Sequence, residues 1–152
     1  MNVEALPYVD EHTTLVAADA DTVWRALSEA LDASFAGGRY ARLVGCADRT
    51  ASGPRPLAEG STIPGFRVVT AERGRELALV GRHRFSLYAL VLRLDGAGPA
   101  HTLLRAETRA AFPGTGGRLY RRLVIGTGGH AFGMRRLLAG VRERAQRHRS
   151  GG

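Results

Sequence analysis

The spacing of hydrophobic positions changes along the chain, and each change marks a different kind of element. Residues 8–18 alternate loosely and are rich in β-branched residues, which predicts a strand. Residues 19–31 follow with apolar positions at helical spacing, and a second short helix is predicted over 32–43. A strand over 43–49 and a turn-rich connection over 50–60 complete the first part of the chain.

The middle of the chain consists of apolar runs separated by very short turns. Four strands are predicted there, at 61–73, 76–82, 83–95 and 101–112. Connections of this length leave no room for crossover helices, so these strands are expected to form an antiparallel meander.

After residue 117 the spacing becomes helical, and one amphipathic helix is predicted over 118–147. Its apolar stripe contains Met134 and also His130. Beside the stripe lies a strip of glycines, and each glycine costs a helix about 0.5–1 kcal/mol relative to alanine. Such a strip predicts a close approach to the backbone by a strand, a partner chain or a ligand, with packing as the simplest case. The glycines are Gly126, Gly129, Gly133 and Gly140.

Alternation assigns one face of the last two strands to this helix. In the strand over 83–95, Arg93 indicates that odd-numbered residues face outward, which turns Tyr88 inward. In the strand that follows, the even-numbered residues are apolar or neutral and include Thr108. Glu107 lies on the outer face between two arginines, where an ion pair is a simpler explanation than a catalytic acid.

Composition and charge narrow the class of protein. The chain has 152 residues, 44% hydrophobic and 24% charged, which is typical of a globular domain. All 22 basic residues are arginines, and the net charge of +8 belongs to residues 113–152, which hold Glu143 as their single acid. No recognisable nucleic-acid-binding motif accompanies these arginines, which lie on the polar side of the amphipathic pattern, so nucleic acid is disfavoured as a partner. A solvated helix face is the simplest explanation, with an anionic partner or a membrane surface as the alternative.

Several kinds of site and location are not expected. No apolar run approaches the roughly 20 residues of a membrane span, and no signal peptide is apparent, so a cytoplasmic location is predicted. Cys46 is the only cysteine, and the histidines show no metal-binding spacing. We therefore predict no metal and no cofactor.

The segment LVIGTGGHAFG, residues 123–133, suggests a phosphate-binding loop at first sight. Gly126 and Gly128 match a dinucleotide fingerprint, but Ala131 takes the place of its third glycine and no strand follows the helix. The chain also has no lysine to complete a P-loop, so nucleotide binding is not expected. A covalent mechanism is not indicated either, because the G-x-S-x-G motif is absent.

Three segments carry a family resemblance. The segment LVAADADTVWRAL (15–27) runs from a strand through small residues into a helix, GFRVVTAERGRELAL (65–79) forms a tight hairpin, and TLLRAETRAAFPG (102–114) leads into the long helix. These segments resemble the START-like (SRPBCC) superfamily, which includes birch-pollen-allergen-like carriers and polyketide cyclases. The resemblance covers about 8–147 of a single domain over 1–152. It implies an α+β helix-grip fold, in which a curved antiparallel sheet of six or seven strands wraps around a long C-terminal α-helix, with two short helices after the first strand.

A sheet wrapped around a helix commonly leaves a cavity between the two, and we expect a small hydrophobic or amphipathic ligand to bind there. Tyr88 and His130 would orient its polar groups. For His130, a purely structural role, with a sheet carbonyl or a tyrosine as hydrogen-bond partner, is the simpler alternative. The predicted lining residues are Phe66, Tyr88, Leu90, Thr108, Tyr120, Thr127, His130 and Met134.

The sequence leaves two other functions open. The protein could be a cyclase, dehydratase or isomerase of a polyketide-like or other lipophilic substrate, with His130 or Tyr88 moving protons. It could also be an interaction module that uses the arginine-rich helix, and a homodimer is not excluded. Whether the protein is an enzyme is not decided by the sequence.

Overall fold

The computed structural model describes residues 2–35, 48, 50–83, 86–126 and 128–150. Six strands form one antiparallel sheet in the order β1-β6-β5-β4-β3-β2. The strands are β1 (Tyr8–Val16), β2 (Thr62–Ile63), β3 (Phe66–Glu72), β4 (Glu76–Arg82), β5 (Leu87–Gly96) and β6 (Thr102–Ala111). The helices are α1 (Ala20–Ser34), α2 (Gly114–Arg121) and α3 (Gly129–Ser150), with a π-helical turn at Arg122–Gly126 and a 3₁₀ turn at Val3–Ala5.

The first helix, α1, begins where the sequence predicts it. Asp19 is its N-cap, and its carboxylate accepts a hydrogen bond from the Thr22 amide at 2.9 Å. Hydrogen bonds from the Thr22 side chain and then from its amide lower the pKa of Asp19. The helix continues to Ser34, so the start of the predicted second helix belongs to α1. Most of that helix and nearly all of the predicted strand over 43–49 lie outside the described residues.

The two faces of the sheet have different coverings, as the alternation predicts. The inner face packs against α1 and α3 in one core that includes Tyr88 and Leu90. The outer face carries a small apolar cluster in which Leu6 of the N-terminal segment packs with Val80 and Ala89.

Glu107 also lies on the outer face, where it accepts hydrogen bonds from Arg93 and Arg109. An ion pair with Arg109 is confirmed, but Arg93 takes the place expected for Arg105, which pairs with Asp95.

The C-terminal helix is interrupted, which corrects the prediction of one continuous helix over 118–147. Helix α2 ends at Arg121, the π-helical turn follows, and Gly128 has a φ of +78°. A left-handed residue ends a right-handed helix, and glycine adopts that conformation without steric cost. The new helix α3 begins at Gly129 and, with 22 residues, is the long C-terminal helix of the helix-grip prediction.

Three of the four glycines of the strip do not pack closely against the rest of the described chain. A Cβ added at Gly126 or Gly133 would meet nothing within 4 Å, and one at Gly140 would meet only the Arg144 guanidinium at 3.9 Å. At these three positions the predicted close packing within the chain is therefore wrong. The close approach occurs in β4 instead, where a Cβ on Gly81 would lie 2.4 Å from the Gly65 carbonyl oxygen.

Candidate functional site

A chain of hydrogen bonds links three strands to the start of α3. The Tyr88 hydroxyl donates to His130 Nδ1, and His130 Nε2 lies 3.2 Å from Asp10 Oδ1 and 3.1 Å from Thr108 Oγ1. The second oxygen of Asp10 lies 3.1 Å from His12 Nε2. The His130 side chain is only 7% exposed. Three polar side chains thus converge on one buried imidazole, and His12 contacts one of them, Asp10.

A β-bulge places Asp10 in this site. Tyr8 pairs with Arg109 in the β1–β6 ladder, but Asp10 pairs with Thr108, so one extra residue is inserted at Val9. Without that insertion, alternation would put Asp10 opposite Glu107, on the outer face. The bulge therefore turns the carboxylate toward the helix, in the way that bulges commonly redirect a side chain at a site.

The Asp10 carboxylate selects the tautomer of His130. A carboxylate only accepts hydrogen bonds, so Nε2 carries the proton and Nδ1 accepts from Tyr88. Burial lowers the pKa of His130 below its usual 6.5, although Asp10 acts in the opposite direction. Burial also raises the pKa of Tyr88 well above 10, and Asp10 and Tyr120 add to that effect. At neutral pH the site therefore holds a neutral imidazole and a protonated phenol.

Aromatic rings fix the position of Tyr88. The His83 ring stacks on it with a centroid distance of 6.0 Å, and Phe66 meets it edge-on at 6.3 Å. In the β4–β5 ladder, Tyr88 pairs with Gly81. Because Gly81 has no side chain, the His83 ring and the Gly65 carbonyl fit beside it. His83 Nε2 lies 3.2 Å from the Gly65 carbonyl oxygen, and burial lowers the pKa of His83.

The structure brings together most of the residues predicted to line the site. Phe66, Tyr88, Leu90 and Met134 belong to one buried core cluster. Thr108 is fully buried and contacts His130. The remaining two predicted residues are placed differently. Tyr120 in α2 is half-buried beside Phe112 at a centroid distance of 6.2 Å, and Thr127 lies outside the described residues.

Sequence reasoning missed Asp10, His12 and His83 as members of the site. Asp10 and His12 share a parity in β1, which is a weak signal, but the bulge that directs Asp10 inward leaves no mark in the pattern. Within the described residues, no group of three or more histidine, cysteine, aspartate or glutamate side chains is placed to hold a metal ion. None of the helices in these ranges is long and apolar enough to cross a membrane.

Comparison with known proteins gives the fold a wider context. No protein-family model matches the chain, and no curated protein matches its sequence significantly. The ZhuI aromatase/cyclase from Streptomyces sp. R1128 has a similar structure, with a TM-score of 0.60 and 15% identity over 93% of this chain and 94% of that chain.

Two other solved structures are similar over most of their length. Norcoclaurine synthase from Thalictrum flavum, in complex with dopamine and hydroxybenzaldehyde, has a TM-score of 0.59 and 13% identity over 97% of this chain and 91% of that chain. CalU16 from Micromonospora echinospora has a TM-score of 0.50 and 16% identity over 93% and 92% of the two chains. At these identities the likeness is one of fold, and it agrees with the predicted helix-grip architecture.

Proposed function

We propose that this protein binds a small hydrophobic or amphipathic ligand between the inner face of the sheet and the C-terminal helix. The observation that carries the proposal is the Asp10–His130–Tyr88 chain, a fixed polar group on a face that is otherwise apolar. Small residues, Ala106 and Ala110, lie on either side of Thr108 on the inner face of β6, and Ala110 pairs with Tyr88. Ligand sites in proteins are commonly apolar, with a few polar groups in fixed positions.

The hydrogen-bond directions indicate the polarity of the ligand. The Tyr88 hydroxyl donates its proton to His130, so its oxygen is left to accept a hydrogen bond. A ligand with a hydroxyl or amine donor on an apolar body therefore fits this site best. Burial of the apolar body contributes about 25 cal/mol per Å² before the costs of association.

Proton-transfer catalysis is the second candidate, and the Asp10 contact favours it. If a substrate proton moves to the Tyr88 oxygen, the phenolic proton can pass to His130 Nδ1 and the Nε2 proton to Asp10. Such a relay would suit a cyclase, dehydratase or isomerase of a lipophilic substrate, and an aromatase/cyclase shares this fold. The raised pKa of Tyr88 opposes proton removal from it, which is why binding is our first choice.

A pair of fluorescent probes tests the binding proposal. We expect 2-naphthol, which has a hydroxyl donor, to bind more tightly than naphthalene, and Tyr88→Phe to abolish that difference. One hydrogen bond of this kind is worth about a factor of 2 to 10 in affinity. Tyr8→Phe is the matched control, because Tyr8 is 57% exposed in β1. If neither probe binds and native mass spectrometry of the purified protein finds no co-purified ligand, the proposal fails.

Deuterium exchange tests the catalytic candidate separately. The ketone 2-tetralone exchanges its α-protons slowly in buffer, and NMR follows the loss of signal. An enzyme of the proposed kind would accelerate this exchange, and His130→Gln would remove the acceleration. Exchange at the buffer rate with the unmodified protein would count against catalysis while leaving the binding proposal intact.

The interaction-module alternative rests on the arginines of the C-terminal segment. Most arginines on the sheet form ion pairs. By contrast, several arginines of the C-terminal segment form no ion pair among the described residues: Arg118, Arg122, Arg135 and Arg136. A solvated helix face explains this equally well. Titration against DNA and anionic vesicles across a salt series distinguishes the two, because only a genuine anionic partner gives salt-dependent binding.

A further inference from the structure

A groove lies between the edge strand β1 and helix α3. It has a volume of about 580 Å³, and its walls are residues 12–14 of the strand and a face of the helix. Within the described residues, strand β1 pairs with β6 alone, so it forms an edge of the sheet. The volume lies within the range of small-molecule sites, about 300–1,000 Å³.

The helix side of the groove combines positive charge with an apolar floor. Arg135 and Arg142 are seven residues apart, so they lie two turns apart on the same helix face, separated by about 10 Å. Both are exposed, and Arg142 Nε donates to Gln146 Oε1 at 3.3 Å. Neither arginine contacts a carboxylate among the described residues. Leu138 lies between them and is buried.

The charges of the groove favour an anion. Glu143 also lines it, so the two arginines and this carboxylate leave an excess of positive charge. His12 contributes to the strand wall, and its Nε2 lies 3.1 Å from Asp10 Oδ2. His12 therefore connects the wall of the groove to the Asp10–His130–Tyr88 chain, although Asp10, His130 and Tyr88 do not line the groove themselves.

We propose that this groove binds a small molecule with an anionic carboxylate or phosphate head and an apolar body. Arg135 and Arg142 hold the head, because guanidinium groups donate paired hydrogen bonds to carboxylate and phosphate oxygens. Leu138 contacts the apolar body. This site is separate from the inner site proposed above, and either can exist without the other.

Titration with octanoate, octyl phosphate and 1-octanol, at about 0.15 M salt to screen distant charges, tests the proposal. We expect at least one of the two anions to bind more tightly than the neutral alcohol. The anion that binds identifies the head group, and binding of both indicates that charge alone is recognised. Backbone amide shifts in NMR spectra are expected at Thr13, Thr14 and Ala139, which line the groove.

Charge reversal supplies the matched comparison. The double variant Arg135→Glu/Arg142→Glu is expected to weaken anion binding about tenfold, since each exposed ion pair is worth up to a few-fold. The control variant Arg136→Glu/Arg147→Glu makes the same change in net charge on the same helix, at exposed positions outside the groove. It is expected to change the affinity for the anion at most about twofold. Equal weakening by both variants would overturn the proposal. So would equal binding of 1-octanol, no binding of either anion, or amide shifts confined to Leu90 and Ala106 on the inner face.

Discussion

Lowering the pH from 7.5 to 5.5 is expected to destabilise the fold, because two histidines are buried as neutral rings. Burial lowers the pKa of both His83 and His130 below 6.5. Residue His83 is 7% exposed, and the side chain of His130 is also 7% exposed. The unfolded chain therefore binds more protons than the folded chain once the pH falls below about 6.5. The stability that these rings contribute is present above that pH and is lost as the pH falls toward their folded pKa values.

The loss of unfolding free energy can be calculated from the one proton that each histidine ring takes up on unfolding. A group that titrates at 6.5 when unfolded and stays neutral when folded costs about 1.4 kcal/mol at pH 5.5. Two such histidines therefore cost up to about 2.8 kcal/mol. Glu107 does not interfere in this range: burial acts to raise its pKa, but the hydrogen bonds from Arg93 and Arg109 lower it overall, so its contribution is lost only below about 4.5.

Urea denaturation at several pH values between 5.5 and 7.5 measures this loss. His130→Gln is expected to reduce the pH dependence by about half, because glutamine cannot take up a proton. His148→Gln is the control, since His148 is 56% exposed and near the end of α3. If the free energy of unfolding of the unmodified protein does not fall between pH 7.5 and 5.5, or if the control flattens the profile equally, the assignment of buried neutral rings is refuted.

An NMR titration tests the role of Asp10 in the same experiment series. The carboxylate opposes the effect of burial on His130, so Asp10→Asn is expected to move the His130 titration to a lower pH. An unchanged or higher midpoint would contradict the contact between Asp10 and His130.

Three further substitutions follow from the fold, and urea denaturation measures each. Glu107→Gln is expected to lower the free energy of unfolding by about 2–3 kcal/mol, because Glu107 is buried and accepts hydrogen bonds of 2.6 Å from two half-buried arginines. As a control, Glu72→Gln removes an exposed ion pair and is expected to lower it by less than about 0.5 kcal/mol. Gly133→Ala is expected to stabilise the protein by about 0.5–1 kcal/mol, because its Cβ meets nothing within 4 Å and alanine favours the helix. Gly128→Ala is expected to destabilise by about 1 kcal/mol, because its φ of +78° is unfavourable for alanine. A gain in stability at Gly128 would contradict the observed break in the helix, and a loss at Gly133 would contradict the open space beside that glycine.

The sequence by itself determined the architecture and half of the candidate site. The period of two in the strands assigned Tyr88 and Thr108 to the inner face, and the helical period placed His130 on the stripe that faces them. These assignments hold because a side chain's direction depends on its own backbone, and burial of one face is the largest driving force acting on a strand or a helix.

Only the tertiary structure decided how these residues meet. Asp10 and His130 are 120 positions apart, and their contact requires the bulge in β1, which exists because of its pairing with β6. The same limit applies to the C-terminal glycines. Their spacing allowed a continuous helix, but the φ of Gly128 ends it, and Gly126 and Gly133 face open space. A periodic pattern records which face is buried, whereas register, bulges and helix breaks depend on contacts between distant segments, so a local pattern could not contain them.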